Sequence, residues 1–121
     1  MSARLWRLAL PFYWALLAFS THYPSVYIPT NITYRDKVVH CCAFGGLAFL
    51  YWQFAETRKR PLTSTFVWSA AVVLLAYAAI DEYTQQFFGR DTDILDFLAD
   101  LIGVTSMLTV LEWRRRRPSR S

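Results

Sequence analysis

The chain has 121 residues, of which 55% are hydrophobic and 17% aromatic, and its formal net charge is +4. Soluble domains are about 45 to 50% apolar, so this composition argues against a water-soluble protein, and the length allows a single domain over residues 1–121. The basic residues at positions 114–117 directly follow an apolar segment, which indicates lipid headgroup binding and argues against a nucleic-acid partner.

Four apolar segments predict four transmembrane helices, over about residues 5–23, 37–55, 62–87 and 93–113, with a basic tail over 114–121. The expected fold is therefore all-α, a four-helix transmembrane bundle. The first segment is not followed by an A-x-A-like cleavage site, so we expect it to remain uncleaved. Prolines and the lack of a helical period predict a connecting loop over residues 24–35.

The second segment carries the small residues Ala43, Gly45, Gly46 and Ala48. Small residues at this spacing give a helix a smooth surface, on which another helix packs closely in a membrane. No pattern of glycines typical of a phosphate-binding loop is present.

Lysine and arginine are divided unevenly between the two sides that four spans define. Two lie in the N-terminal segment, three at positions 58–60 and five after residue 113, whereas the other side has only Arg35, Lys37 and Arg90. Because the richer side usually lies in the cytoplasm, both termini are predicted to be cytoplasmic.

Ionisable residues interrupt the fourth segment on the predicted outer side. Asp93, Asp96, Asp100 and Gly103 follow at steps of three, four and three residues, which puts them on one stripe of a helix. A carboxylate that faces lipid costs on the order of 2.5 to 3.5 kcal/mol on insertion scales. We therefore expect this stripe to face a polar cavity inside the bundle.

The second and third segments bring ionisable groups to a similar depth. His40 shares a helix face with Asp36, and Asp81 shares one with Gln85. At 1.5 Å per residue, His40 lies about 6 Å, and Asp81 and Asp100 about 10 Å, inside the ends of their helices. The three segments are thus predicted to form one site that opens away from the cytoplasm.

This candidate site has nine residues. Candidate catalytic residues, which would donate or accept protons, are His40, Asp81, Glu82 and Asp96. Candidate ligand-binding residues are Asp36, Lys37, Gln85, Arg90 and Asp100. Within this set, we expect Arg90 and Lys37 to hold an anionic group and Asp36 to position His40.

Two other interpretations of the same residues stay open. In the first, Lys37 and Arg90 neutralise Asp36, Asp81 and Asp96 in a network that only stabilises the bundle. In the second, His40 binds a metal together with Asp96, Asp100 or Glu82. A single histidine in the membrane makes a tight zinc site unfavourable, so we expect no metal and no cofactor.

The segments DKVVHCCAFGGL and IDEYTQQFFGRDTDILDFLADLIG, with the four-span layout, resemble the VanZ family, membrane proteins named for a component of teicoplanin resistance. The resemblance covers about residues 8–112. The family pattern falls on Asp36, Lys37, His40, Asp81, Glu82, Gln85, Gly89, Arg90, Asp96 and Gly103. Asp100 stands where the family usually has Asn. The resemblance implies a multi-pass protein of the bacterial cytoplasmic (inner) membrane and a cell-envelope role, with no known reaction.

Three functions remain open from the sequence. The first is a site, binding or enzymatic, for a lipid headgroup, a lipid-linked cell-wall precursor or a glycopeptide-type amphiphile, which would confer antibiotic resistance. The second is a small proton-coupled transporter, and the third is a non-catalytic membrane scaffold. The expected partners are membrane lipids and an amphiphilic ligand on the outer side.

Overall fold

The structure is a computed structural model that describes residues 1–23 and 33–118. Within these residues the chain forms no strand and four α-helices, which are α1 (Ala3–His22), α2 (Thr33–Glu56), α3 (Ser64–Gln85) and α4 (Ile94–Arg116), with a 3-10 turn at Gln86–Phe88. The all-α prediction is confirmed. The predicted loop over 24–35 lies mostly outside the described residues, and its last three residues belong to α2.

Three of the described helical segments are long and apolar enough to cross a membrane, namely Arg35–Glu56, Ser64–Phe88 and Ile94–Arg116. The 20 residues of α1 are not among them, although the sequence predicts a first span there. Leu10 and Leu17 of α1 pack into the core, so this helix is an integral part of the fold.

Side-chain caps determine where the helices begin. The Thr63 hydroxyl accepts a hydrogen bond from the backbone N–H of Phe66, and the Asp93 carboxylate accepts one from that of Leu95. Each of these side chains accepts a hydrogen bond from a backbone N–H that has no acceptor within the helix. At the far end of α3, Gly89 has a φ of 74°, a left-handed conformation that glycine adopts without strain. The turn from α3 into α4 is therefore encoded locally.

Contacts between the helices define their directions. α2 and α4 run parallel, because Lys37 pairs with Asp96 near their starts and Gly45 contacts Gly103 further along. α3 runs antiparallel to α4, since the Arg116 side chain donates to the Ser64 hydroxyl at 2.9 Å. α1 runs antiparallel to α2, as the contact of Arg7 with Thr57 shows.

This arrangement gives the molecule two chemically different ends. The acidic end contains the C-terminal part of α1, the start of α2, the end of α3 and the start of α4. The basic end contains Arg7, positions 58–60 and positions 114–117. An apolar core separates the two ends, with Phe44 stacked on Tyr77 at 5.8 Å and Leu74 and Val104 fully buried.

The helices α2 and α4 pack backbone to backbone at Gly103. A Cβ atom at this position would lie 2.1 Å from the carbonyl oxygen of Cys41, a distance too short for any side chain. Gly45 faces the same glycine, and a Cβ there would meet the Gly103 carbonyl oxygen at 3.4 Å. The close packing that the sequence predicts for the small residues of α2 is therefore confirmed.

We expect Gly103→Ala to destabilise the fold by about 1 to 3 kcal/mol, the usual cost of overpacking, because the backbones of α2 and α4 must separate. Thermal unfolding in detergent measures this loss. Ser106→Ala, on an exposed position of the same helix, is the matched control and should have little effect. Equal stability of the two variants would contradict the close contact.

Candidate functional site

Lys37 is the centre of an ion-pair network at the acidic end. Its ammonium group donates to the Asp93 carboxylate at 2.5 Å and to the Asp96 carboxylate, and it lies 4.0 Å from that of Asp36. Hydrogen bonds from Lys37 and from the backbone N–H of Leu95 lower the pKa of Asp93, which lies just before α4. The ammonium of Lys37 therefore neutralises Asp93 and Asp96, as the interpretation of a stabilising network expects in part, and its role in holding a ligand anion stays a prediction.

His40 is buried between α2 and α4. Its Nδ1 atom lies 2.9 Å from a carboxylate oxygen of Asp100, and its Nε2 atom lies 3.7 Å from Asp96 and 3.9 Å from Asp36. Because a carboxylate can only accept, Nδ1 carries the hydrogen in the bond to Asp100. Asp36 shares the predicted face, but Asp100 is the residue that orients the ring.

Asp81 is 2% exposed and its carboxylate is fully hydrogen-bonded. One oxygen accepts from the hydroxyls of Thr21 (2.9 Å) and Tyr77 (3.0 Å), and the other accepts from the Gln85 amide at 3.1 Å. His22 Nδ1 lies 3.6 Å away. These donors compensate for burial and tie α1 to α3.

Glu82 lies beside Asp81 but faces the start of α4. One oxygen accepts from the backbone N–H of Asp93 at 2.6 Å, and the other has a long contact of 3.4 Å with the Gln85 amide. Gln85 thus donates to both neighbouring acids, which agrees with its predicted place in the site.

Arg90 lies at the edge of this cluster, in the turn before α4. Its side chain donates to the carbonyl oxygen of Tyr23 at 3.4 Å, a long contact, and within residues 1–23 and 33–118 no carboxylate lies within ion-pair distance of its guanidinium. In the described residues Arg90 therefore takes no part in the ion-pair network that one of the open interpretations expects.

Two cavities adjoin the cluster. One, of about 180 Å³, lies between α1 and α2 and is lined at its polar positions by Ser20, Thr21, Asp36, His40 and Arg90. The other is a groove of about 460 Å³ between α3 and α4, lined by Ala79, Glu82, Tyr83, Gln86, Thr92, Ile94 and Phe97. The acidic cluster is thus reached from two sides.

The nine predicted residues lie at the acidic end, and eight of them join one network, with Arg90 at its rim. Sequence reasoning missed four contacting residues, which are Thr21, His22, Tyr77 and Asp93. Helical spacing could have found Tyr77, four residues before Asp81, and Asp93 lies on the predicted stripe. The α1 contacts had no sequence signal, because α1 contributes no acid.

Two sets of three side chains have the composition of a metal site. Donor atoms of Asp36, His40 and Asp96 lie within 4.8 Å of one another, and so do those of His40, Glu82 and Asp100. Carboxylate oxygens and an imidazole nitrogen are common ligands of divalent first-row metals.

A sequence model of the VanZ/LLP1 family matches residues 3–114, nearly the whole chain. This protein belongs to the VanZ family. Comparison with curated proteins and with solved structures gives no significant match. The family assignment and the three long apolar helices together identify a membrane protein of the VanZ type.

Lys37→Met should destabilise the fold by about 3 kcal/mol, because removal of one partner leaves the largely buried carboxylate of Asp96 without a counterion. Lys37→Met combined with Asp96→Asn should recover a large part of that loss, since the unpaired charge is then gone. Unfolding of the two single variants and the double variant in detergent gives the coupling energy. Additive effects of the two substitutions would contradict the ion pair.

Proposed function

We propose that this VanZ-family protein is a four-span protein of the bacterial cytoplasmic membrane whose acidic end binds the polar headgroup of an amphiphile from the outer side. The amphiphile is a lipid, a lipid-linked cell-wall precursor or a glycopeptide-type antibiotic. The main support for this proposal is that buried ionisable side chains of α2, α3 and α4 meet beside two cavities in an otherwise apolar bundle.

The surface of α1 supports a fourth span. Large apolar side chains form an exposed stripe along it, at Leu5, Leu8, Phe12, Leu16 and Phe19. Their spacing of three or four residues puts them on one helix face, opposite the residues that pack into the core. In water such an exposed apolar stripe would be unfavourable, whereas in a bilayer it would face lipid.

The distribution of charge supports the orientation. Ten of the thirteen lysines and arginines lie in the N-terminal segment, at positions 58–60 and in the C-terminal tail. With these in the cytoplasm, the acidic end faces outward and both termini face inward.

The groove between α3 and α4 supports an amphiphilic ligand. Ala79, Ile94 and Phe97 give it an apolar wall, while Glu82 supplies a carboxylate at its inner side. An acyl chain along this wall would bring its headgroup to the acidic cluster. The carboxylates favour ligand groups that donate hydrogen bonds or carry positive charge.

Arg90 is the residue best suited to an anionic part of such a headgroup. It lines the cavity between α1 and α2, and a guanidinium binds phosphate or carboxylate in a two-point geometry. In this proposal His40, Asp81, Glu82 and Asp96 hold or exchange protons within the bound complex. Binding itself requires no chemical step.

A structural role is the second candidate, and the network around Lys37 favours it. Lys37 joins α2 to two acids of α4, and Asp81 joins α3 to α1, so the same contacts that would form a site also hold the bundle together. Transport has less support, because the apolar layer of Phe44, Leu74 and Val104 separates the acidic end from the other end.

Arg90→Ala should weaken binding of an anionic or zwitterionic amphiphile by about 10- to 100-fold, which corresponds to loss of a charge-assisted hydrogen bond. Native mass spectrometry of the detergent-purified protein, with phosphatidylethanolamine, phosphatidylglycerol and teicoplanin as probes, measures this change. Arg60→Ala, an exposed arginine at the basic end, is the matched control and should bind as the wild type does.

Equal binding by the two arginine variants would reject Arg90 as the anion-binding residue. No binding of any probe by the wild type would reject the ligand site and leave the structural role.

A further inference from the structure

Asp100 has an unusual environment for a buried carboxylate. It is fully buried, one oxygen lies 2.9 Å from His40 Nδ1, and its Oδ2 atom has no hydrogen-bond partner among the residues that the structure describes. An unpaired buried polar atom costs about 1 to 3 kcal/mol, and more when it is charged. A group that donates a hydrogen bond or carries positive charge would therefore stabilise this oxygen.

The other acids of the cluster have partners. Asp81 accepts three hydrogen bonds, and Asp93 and Asp96 are paired with Lys37. Glu82 accepts from the backbone N–H of Asp93 and Asp100 contacts His40, but both are buried and neither has a lysine or arginine within ion-pair distance in the described part of the chain. Together with His40 they supply donor atoms that lie within 4.8 Å of one another.

We propose that His40, Glu82 and Asp100 bind a divalent first-row metal ion. The ion would occupy the space beside the unpaired oxygen of Asp100 and would offset the two carboxylate charges. Coordination of the ion by His40 Nδ1 would replace the hydrogen bond from this atom to Asp100, so the hydrogen on Nδ1 would have to leave. One imidazole nitrogen with two carboxylates suits Mn²⁺ or Zn²⁺.

The neighbouring set of Asp36, His40 and Asp96 is a poorer site for a cation. The ammonium of Lys37 contacts Asp96 and lies 4.0 Å from Asp36, so it repels a second positive charge there. The Asp36 side chain is also 47% exposed, which lowers its contribution to a tight site. The inner set is therefore the one that the structure favours.

The sequence argued against a metal because the three segments that form the predicted site contain only one histidine, His40. The structure adds one observation, which is that Asp100 has an oxygen without a hydrogen-bond partner in the described residues. Asp100 is also the position at which the family usually has Asn. The site is consequently a property of this chain, because an Asn there would bring an amide donor and no charge.

An ion in this position would also change what the cluster attracts. Glu82 lines the groove between α3 and α4, so the ion would present positive charge to a phosphate or carboxylate in that groove. This consequence depends on the proposed amphiphile site, whereas binding of the ion does not.

The test uses the full chain, purified in detergent and stripped of metal, with no amphiphile added. Calorimetric titration with Mn²⁺ and with Zn²⁺ should give one ion per wild-type chain and release of a proton from His40. Asp100→Asn and Glu82→Gln should each lower the affinity at least tenfold. Asp91→Asn, an exposed acid at the same end, should bind as the wild type does.

Asp100→Asn restores the residue that the family pattern carries, so we expect it to fold, and circular dichroism of each variant checks this. The proposal is overturned if the wild type binds neither ion more tightly than the Asp100→Asn variant does. Binding that is lost in Asp36→Asn but kept in Asp100→Asn would overturn it too, since the ion would then lie in the outer set.

The outcomes separate this inference from the proposed function. Amphiphile binding without metal binding rejects the ion site alone. Metal binding without amphiphile binding rejects the proposed function alone.

Discussion

The contact between α2 and α4 at Gly103 is the constraint on which the acidic end depends. The two helices approach so closely that a methyl group at Gly103 would overlap the Cys41 carbonyl. Because they also run parallel, Lys37 and His40 of α2 come within reach of Asp96 and Asp100 of α4. A larger residue at the contact would separate these pairs and leave buried carboxylates without partners.

The molecule reverses the charge pattern of a soluble bundle. Its acids face inward at one end, while large apolar side chains such as Phe12, Trp68 and Ile102 cover the outside. In water both features would be unfavourable, but in a bilayer the apolar surface faces lipid and the polar groups satisfy each other inside the bundle. Membership of the VanZ family agrees with this arrangement. A cluster with more acids than cations then has an unbalanced charge, which a proton or a bound cation can offset.

The sequence predicted the helices and the acidic cluster well, because both rest on local periodicity. Apolar runs specify the helices, and steps of three and four residues specify which acids share a face. Which partner each acid finds depends on helix packing, so the sequence assigned Asp36 to the His40 ring, whereas Asp100 is the residue that hydrogen-bonds it. The contribution of Thr21 and His22 was invisible for the same reason, since α1 meets α3 only in the folded chain. The distribution of lysine and arginine predicts that the acidic end faces outward.

The most direct test of the account is therefore the accessibility of the acidic end from outside the cell. Ser20 lines the cavity beside His40, and a cysteine at this position can be labelled once Cys41 and Cys42 are replaced by Ala. We predict that a membrane-impermeant thiol reagent labels Ser20→Cys in intact cells, whereas it labels Ser64→Cys at the basic end only after the cells are opened. Labelling of Ser64→Cys and protection of Ser20→Cys in intact cells would contradict an outward-facing site.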